Sequence, residues 1–322
     1  MLDTTTQRKA SQAATSAKIF IDGDSGTTGL QIRERLARLA GVELVGIDAE
    51  RRKDIEAKRE VLAKVDLAIL CLPDAAARES AALIEAMGEK GPRIIDASTA
   101  HRTAPGWVFG FPEMARGQEA AIRSARKVSN PGCYSTGAIA LIRPLVDAGL
   151  IPADQPLSIN AVSGYSGGGK TMIEAHEKGQ APSFELYGLG FEHKHLPEIV
   201  AHSGLRRRPI FVPSVGNFRQ GMLVSVPLDL ELLPLKPSAA DLESVLRTHY
   251  AVGGNIRIVA GEPANSFERL EAESLNGTDL LEIRVVGSSK YPVALLIAKL
   301  DNLGKGASGA AVQSMRLMLG LA

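Results

Sequence analysis

The stretch KIFIDGDSGTTGLQIRERLARLA (residues 18–40) decides the predicted fold. The apolar segment KIFID is typical of a strand, and a glycine-rich turn follows it. Four residues then recur at helical spacing: Leu30, Arg33, Leu36 and Leu39. A strand that turns tightly into a helix leaves backbone N–H groups free near the positive end of the helix dipole, where they bind phosphate. The stretch therefore predicts the start of a Rossmann-type, dinucleotide-binding unit.

Alternating strands and helices continue to about residue 130. Strands are predicted at 42–47 (VELVGI), 66–72 (DLAILCL) and 93–98 (RIIDAS), with a helix over 76–87. This alternation is typical of a doubly wound parallel sheet in an α/β protein. It predicts a dinucleotide-binding domain over residues 17–130, preceded by a disordered tail over residues 1–16.

The second half has a different pattern. Apolar strands with few helices between them are predicted at 157–164, 208–214, 221–228, 255–260, 280–287 and 292–300. This pattern predicts an α+β domain with a mostly antiparallel sheet over residues 131–303. A helix over 304–321 follows, and we expect residues 304–322 to complete the dinucleotide-binding domain.

Composition excludes several classes of protein. The 322 residues carry a net charge of +1, 45% of them are hydrophobic and 4% are aromatic, which argues against a nucleic-acid or membrane-surface partner. Two cysteines do not make a disulfide framework, so a reduced, cytoplasmic setting is expected. No apolar run is long enough for a membrane helix.

The glycine turn and the end of the second strand predict the cofactor. The glycine spacing is G-x-x-G-x-x-G rather than the commoner G-x-G-x-x-G, so a plain tight turn is the alternative. After the second strand, Asp48 is suited to a ribose diol, and Arg51 with Arg52 is suited to a 2′-phosphate. This pair favours NADP over NAD, and a solvated charged loop is the alternative.

Cys133 lies in SNPGCYSTGAIALIRPL (129–145), where Pro131 and Gly132 predict a turn at the mouth of a helix. A thiol in the first helical turn feels the positive end of the dipole, which favours the thiolate. We therefore predict that Cys133 is a nucleophile. Cys71 lies within an apolar strand and is interpreted as a buried structural cysteine.

A thiol beside a nicotinamide indicates acyl transfer followed by hydride exchange, and this chemistry needs a proton donor and acceptor. The segment FEHKHLPEI (191–199) supplies His193 and His195, with Glu198 close behind. No further Cys/His cluster supports a metal site, so no metal is expected. Ordinary polar loop histidines are the alternative interpretation.

Three segments together resemble one family: SNPGCYSTGAIALIRPL, SGYSGGGK (163–170) and HKHLPEI (193–199). They are similar to the N-acetyl-γ-glutamyl-phosphate reductase family, NADP-dependent enzymes of arginine biosynthesis. DGDSGTTGLQI resembles the shorter of the two forms of that family, within the wider group of aspartate-semialdehyde-dehydrogenase-like proteins. The resemblance extends from residue 18 to the end of the chain.

The resemblance implies roles for individual residues. It implies that Cys133 forms a thioester and that His193 is the acid/base residue. It places four residues at the substrate: His195, Arg102, Ser98 and Glu198. It places Ser166, Gly167, Gly168 and Asn302 near the nicotinamide. The other cofactor candidates come from the glycine turn and the end of the second strand: Gly23, Ser25, Gly26, Thr27, Thr28, Gly29, Asp48, Arg51 and Arg52.

The function implied is NADPH-dependent reduction of N-acetyl-L-glutamyl 5-phosphate to the 5-semialdehyde, with release of phosphate. The expected partners are this small substrate, phosphate and further copies of the chain in a homodimer or homotetramer. A related reductase acting on aspartyl phosphate or on a carrier-bound aminoadipyl phosphate is the alternative. A catalytically silent nucleotide-binding regulator would lack Cys133 or the histidines, and both are present.

Overall fold

The computed structural model describes residues 16–52, 54–251, 253–259 and 269–321. The predicted tail, apart from Ser16, lies outside the described residues. The helices are α1 Thr27–Leu36, α2 Ile55–Leu62, α3 Asp74–Ala86, α4 Gln118–Ser124, α5 Cys133–Asp147, α6 Gly169–Glu177, α7 Leu196–Ser203, α8 Ala239–His249 and α9 Gly309–Leu319.

The strands fall into two groups along the chain. The first group is β1 Ala17–Asp22, β2 Val42–Val45, β3 Leu67–Leu70, β4 Arg93–Asp96, β5 Val108–Phe109 and β6 Lys127–Ser129. The second group is β7 Ser158–Gly164, β8 Phe184–Leu186, β9 Ile210–Gly216, β10 Met222–Asp229, β11 Ile256–Ile258, β12 Leu281–Gly287 and β13 Val293–Leu300.

The first group forms one sheet in the order β2-β1-β3-β4-β6-β5. Every recorded pairing in it is parallel. All four residues of β3 are buried, as expected for a strand covered on both faces. The chain leaves β1 toward β2 on one side and returns to β3 on the other, so the order reverses between β1 and β3. Ligands bind at such a switch point in doubly wound sheets.

Helix α1 faces this sheet with Ile32 and Leu36, both almost fully buried. Leu30, which belongs to the stripe identified in the sequence, is 48% exposed. The helix ends at Leu36, so Leu39 lies beyond it. The prediction of a helix after the glycine turn is confirmed, and its buried face differs from the predicted one because Ile32 faces the sheet.

The second group forms a sheet in the order β11-β12-β13-β10-β7-β9-β8. Its pairings are antiparallel except for β11 with β12 and β7 with β9. Helix α5 packs against α7, α8, β10 and β13, and its residues 138–142 are fully buried. The predicted fold class is confirmed, although α6, α7 and α8 make this half richer in helix than the sequence indicated.

Helix α9 returns to the first sheet. Ala311, Met315 and Met318 pack in the same apolar core as Ile19 and Ile32. A short π-helix, Gly304–Ser308, precedes α9 and brings the chain past the start of α5. The last helix therefore belongs spatially to the first sheet, while the bounds assigned to the two domains stay a prediction.

Candidate active site

Cys133 is the first residue of α5, and Gly132 is its N-cap. The residue opens into a cavity of about 260 Å³ between the two sheets. Several predicted site residues share this cavity: Thr27, Thr28, Arg102, Cys133, Ser166, Gly167, Gly168, His193, His195 and Asn302. Residues far apart in sequence thus line the same cavity as Cys133.

Gly132 is required by the close packing in front of Cys133. A Cβ atom there would lie 2.4 Å from Nε2 of His195 and 2.6 Å from Nη1 of Arg102. On the other side, a Cβ atom at Gly306 would lie 2.8 Å from the Cβ of Cys133. Such distances are too short for carbon, so glycine at both positions lets His195, Arg102 and the π-helix approach Cys133 closely.

The electrostatics of Cys133 differ from the sequence-based expectation. Burial raises the pKa of the Cys133 thiol to about 11, although a hydrogen bond from the backbone of Tyr134 and the charges of Arg102 and Lys194 oppose this rise. The expectation of a resting thiolate is therefore wrong: desolvation outweighs the helix terminus. Burial likewise raises the pKa of Cys71 to about 12.

His193 and His195 are held neutral. Burial, followed by the charges of Lys194 and Arg102, lowers the pKa of His193 to about 4. Burial and the nearby Arg102 lower the pKa of His195 well below its ordinary value. Near pH 7 the site therefore contains a thiol and two uncharged imidazoles.

The hydrogen bonds of His193 define its tautomer. Its Nδ1 accepts the backbone N–H of His195 at 3.1 Å. A neutral imidazole carries one proton, so that proton lies on Nε2, 3.2 Å from the Tyr187 hydroxyl. The Tyr134 ring packs edge-on against the His193 ring, and its hydroxyl donates to the carbonyl of Ser214 at 2.9 Å. Both ring nitrogens of His193 are thus engaged within the protein.

His195 is arranged differently. It is almost fully buried, and its Nδ1 has no hydrogen-bond partner among the described residues. Its Nε2 faces the Gly132 backbone, next to Arg102. A buried imidazole nitrogen without a partner is uncommon and calls for a physical explanation.

Arg102 and Glu198 form a buried ion pair beneath Cys133. Nη1 of Arg102 lies 2.6 Å from Oε1 of Glu198. The second oxygen, Oε2, accepts the backbone N–H of Gly132 at 3.1 Å. Arg102 lines the cavity and Glu198 does not, so Glu198 acts on the site through Arg102 and through the backbone before Cys133.

Ser98 also lies outside the cavity lining. Its hydroxyl donates to Asp96 Oδ2 at 2.8 Å, and His101 Nδ1 lies 2.6 Å from the same oxygen. The Ser98 side chain is buried in the turn that carries Arg102. Its predicted contact with substrate stays a prediction, since the hydroxyl is already engaged in this turn.

Asn302 connects the two sides of the cavity. Its Oδ1 accepts the backbone N–H of Gly221 at 2.8 Å, and its Nδ2 donates to the Ser166 hydroxyl at 2.9 Å. Ser166 begins the segment with Gly167 and Gly168, which lines the cavity together with Asn302. These four predicted residues are therefore brought together.

The glycine turn has the geometry of a phosphate cradle. Gly23 has φ of 93°, and a Cβ atom there would lie 2.4 Å from the carbonyl oxygen of Cys71. A Cβ atom at Gly29 would lie 2.3 Å from the carbonyl oxygen of Gly23. Gly26 is the N-cap of α1, so the turn leads directly to a helix N-terminus at the switch point.

A second cavity, of about 570 Å³, lies on the other side of this turn. Gly23, Ser25 and Arg52 line it, whereas Thr27 and Thr28 line the first cavity. Asp48 and Arg51 are exposed and line neither. The turn thus separates two cavities, an arrangement that fits a dinucleotide whose phosphates cross the turn.

Sequence reasoning missed five polar residues that line the first cavity: Asn130, Tyr134, Ser163, Tyr187 and Lys194. Asn130 Oδ1 is buried without a partner among the described residues. Lys194 lies between the two predicted histidines, so its position in the motif was a usable signal. Tyr187 lies six residues before His193 on a loop, and nothing in the sequence points to its contact with that ring.

Comparison with known proteins identifies the family. Residues 18–122 match the family described as semialdehyde dehydrogenase, NAD binding domain. Residues 133–302 match the semialdehyde dehydrogenase dimerisation domain. N-acetyl-gamma-glutamyl-phosphate reductases of Brucella ovis and Brucella canis are each 52% identical over 308 residues, covering 94% of this chain and 99% of the relative. The chain belongs to the N-acetyl-gamma-glutamyl-phosphate reductase family.

Solved structures of related enzymes share the fold of this reductase family member. Aspartate semialdehyde dehydrogenase II of Vibrio cholerae superposes with a TM-score of 0.70 at 17% identity, over 95% of this chain and 98% of that one. The Candida albicans enzyme, solved with NADP, gives a TM-score of 0.63 at 13% identity, over 94% and 98% of the two chains. No helix among the described residues has the length and apolarity to span a membrane.

Proposed function

We propose that this chain reduces N-acetyl-L-glutamyl 5-phosphate to N-acetyl-L-glutamate 5-semialdehyde with NADPH, releasing phosphate, as a step of arginine biosynthesis. The observation that carries the proposal is Cys133, held at the start of α5 in a cavity shared with two neutral histidines. The 52% identity to reductases of that name supports the choice of substrate.

The residues of the glycine turn fit NADP. The close approaches at Gly23 and Gly29 exclude a side chain and let the turn pack tightly, so that it leads directly into the N-terminus of α1, where free backbone N–H groups suit a phosphate. When bound, the reduced nicotinamide supplies the hydride. In this proposal the segment around Ser166 and Asn302, which lines the cavity of Cys133, holds the nicotinamide end beside the sulfur.

Cys133 carries the acyl group in the proposed reaction. Its sulfur attacks the acyl carbon, the bond from that carbon to phosphate breaks, and a thioester forms. Because the pKa of the thiol is raised to about 11, the proton must leave as the carbon–sulfur bond forms. A neutral imidazole takes this proton, and the departing phosphate receives it. Addition of a hydride and one proton to the thioester then yields the aldehyde and restores the thiol.

His195 is the better supported proton carrier. Both nitrogens of His193 are engaged, with the backbone of His195 and with Tyr187, so His193 is suited to holding the segment in place. His195 has an unpartnered Nδ1 among the described residues and directs Nε2 at the backbone before Cys133. This assignment reverses the sequence-based one, in which His193 was the acid/base residue and His195 contacted substrate.

Lys194 supports an anionic substrate. It lines the cavity and has no carboxylate partner among the described residues, whereas the charge of Arg102 is balanced by Glu198. A substrate with a carboxylate and a phosphoryl group suits such a site. Aspartyl phosphate and a carrier-bound aminoadipyl phosphate carry the same groups and remain the second candidates.

The test is phosphate-dependent reduction of NADP with a panel of semialdehydes. We expect the highest kcat/KM with N-acetylglutamate 5-semialdehyde, and lower values with aspartate semialdehyde and aminoadipate semialdehyde. A preference for either of the others would replace the proposed substrate. The matched dimerisation domain supports an oligomer, which we propose is a homodimer or homotetramer, and sedimentation of the purified chain measures its size. We also propose that the enzyme acts in the cytoplasm.

A further inference from the structure

The second cavity contains two guanidinium groups that share one carboxylate. Arg33 extends from α1, and its Nη1 lies 2.8 Å from Oδ2 of Asp24. Arg52 follows β2, and its Nη2 lies 4.0 Å from Oδ1 of the same carboxylate. All three residues line the cavity, together with Leu44, Val45 and Ile47 at the end of β2.

Arg51 belongs to a different charge cluster. Its guanidinium pairs with Asp54 at 2.9 Å and lies 3.5 Å from Glu60. These acidic partners raise the pKa of Arg51, which means that they already stabilise its charge. Arg51 is not part of the cavity lining, so the adjacent arginines of the sequence have separate surroundings.

The charges that face the second cavity do not cancel. Asp22 also lines it, but this carboxylate is bound by Lys58 at 2.7 Å and by the Ser80 hydroxyl at 2.9 Å. Asp24 alone then faces Arg33 and Arg52, which leaves an excess of one positive charge. An anion is therefore the ligand that completes this group of charges.

We infer that Arg33 and Arg52 bind the 2′-phosphate of NADP, with Asp24 holding both guanidiniums toward the cavity. This inference rests on the proposed use of NADP and names the residues that select it over NAD. The apolar residues at the end of β2 provide a surface for the purine ring of the same nucleotide.

A bound phosphate can replace Asp24 as the partner of Arg33 and Arg52, because these ion pairs are exposed and weak. The side chains of Arg33 and Arg52 are 55% and 53% exposed, and contacts between exposed charges contribute little to stability. Arg33 and Arg52 share the single carboxylate of Asp24. A phosphate dianion carries more negative charge and more acceptor oxygens, so each guanidinium would gain by contacting it. NAD has a hydroxyl group at this position and gains nothing comparable.

The test measures binding of adenosine 2′,5′-bisphosphate and of AMP to the full chain by titration calorimetry. The wild type should bind the bisphosphate more tightly, and the ratio of the two affinities is the readout. Arg33→Ala and Arg52→Ala should each reduce this ratio about tenfold or more, because each removes a charge-assisted contact. Arg33→Gln, which keeps a polar side chain but removes the charge, should reduce it as well.

Two further variants sharpen the result. Arg59→Ala is the control, since Arg59 is an exposed arginine of α2 paired with Glu56. Arg51→Ala tests the pair expected from sequence, and we expect it to preserve the ratio. An unchanged ratio in both Arg33 variants, or a loss in Arg51→Ala, overturns the inference. A wild type without preference for the bisphosphate also overturns it, whereas reductase activity with NADH would leave the proposed reaction intact.

Discussion

The carboxylate of Glu198 binds the guanidinium of Arg102 with one oxygen and the backbone N–H of Gly132 with the other. The side chain of Glu198 is 1% exposed and that of Arg102 is 9% exposed. This contact fixes a cation and the entrance of α5 relative to each other. The position of Cys133 thus depends on a residue that does not itself line the cavity.

Replacement of Glu198 tests this dependence. Glu198→Gln keeps the shape of the side chain but removes the charge, and breaking a buried ion pair costs about 3–5 kcal/mol of unfolding free energy. Urea unfolding measures the cost. The exposed pair of Glu119 with Arg123 provides the control, because Glu119→Gln should change stability by no more than about 1 kcal/mol. Equal effects of the two variants would show that the buried pair contributes no more than a surface pair.

The raised pKa of Cys133 predicts slow alkylation at neutral pH. In a Cys71→Ser background, the rate of reaction with iodoacetamide should rise about tenfold per pH unit, because only the thiolate reacts. The rise should continue to a pH of about 11, where the thiol is half ionised. A plateau near pH 7 would instead indicate the thiolate expected from the helix terminus alone.

Loss of Cys133 should separate binding from turnover. Cys133→Ser removes the proposed nucleophile and should abolish reduction of NADP by the semialdehyde, while NADPH still binds at the glycine turn. Cys71→Ser is the matched control and should retain activity. Nucleotide binding is followed by fluorescence of NADPH. Normal turnover by the Cys133 variant would refute the thioester.

Replacement of His193 and replacement of His195 should have different kinetic effects. His195→Asn should reduce kcat by about 10²–10⁴, since proton transfer to and from the reacting groups is lost. His193→Asn and Tyr187→Phe should mainly raise KM for the semialdehyde, because they loosen the segment that carries His195. The alkaline and acidic limbs of the pH–rate profile give a second readout. A loss of kcat confined to His193→Asn would restore the assignment made from sequence.

Acid should destabilise the fold through His193, His195 and a third histidine, His202, which lies in α7. The pKa values of His193, His195 and His202 are lowered in the folded state, mainly by burial. The unfolded chain therefore binds more protons than the folded one below about pH 6.5, the ordinary value for histidine, so the free energy of unfolding decreases as the pH falls toward 4. Urea unfolding at several pH values measures the slope. The slope should be shallower in His195→Gln, and an unchanged slope would contradict this account.

The sequence predicted strands β1 to β4 of the first sheet and the start of α5, because these features depend on local pattern. KIFID and DLAILCL lie where parallel strands were expected, since buried strands of such sheets are continuous apolar runs. Cys133 lies at the first turn of α5 because Pro131 and Gly132 end the preceding segment. These features depend on residues that are neighbours in the chain.

Features that depend on distant neighbours were not predicted. The pKa of the Cys133 thiol depends on burial by several elements. Reasoning from the helix terminus alone predicted a lowered pKa, whereas burial raises it. Arg51 and Arg52 are adjacent in sequence, yet Arg51 forms an ion pair with Asp54, whereas Arg52 lies near Asp24. Arg33 was interpreted only as part of a helical pattern, because its approach to Asp24 requires the turn to fold back on α1.

The return of α9 to the first sheet constrains the order of events during translation. The core around Ile19 and Ile32 is closed by Ala311, Met315 and Met318, which are synthesised after every described strand of the second sheet. The apolar face of the first sheet that α9 covers therefore stays exposed while the second sheet is synthesised. A nascent chain released before α9 would keep the glycine turn and still expose this face, so such fragments are natural clients of chaperones and proteases.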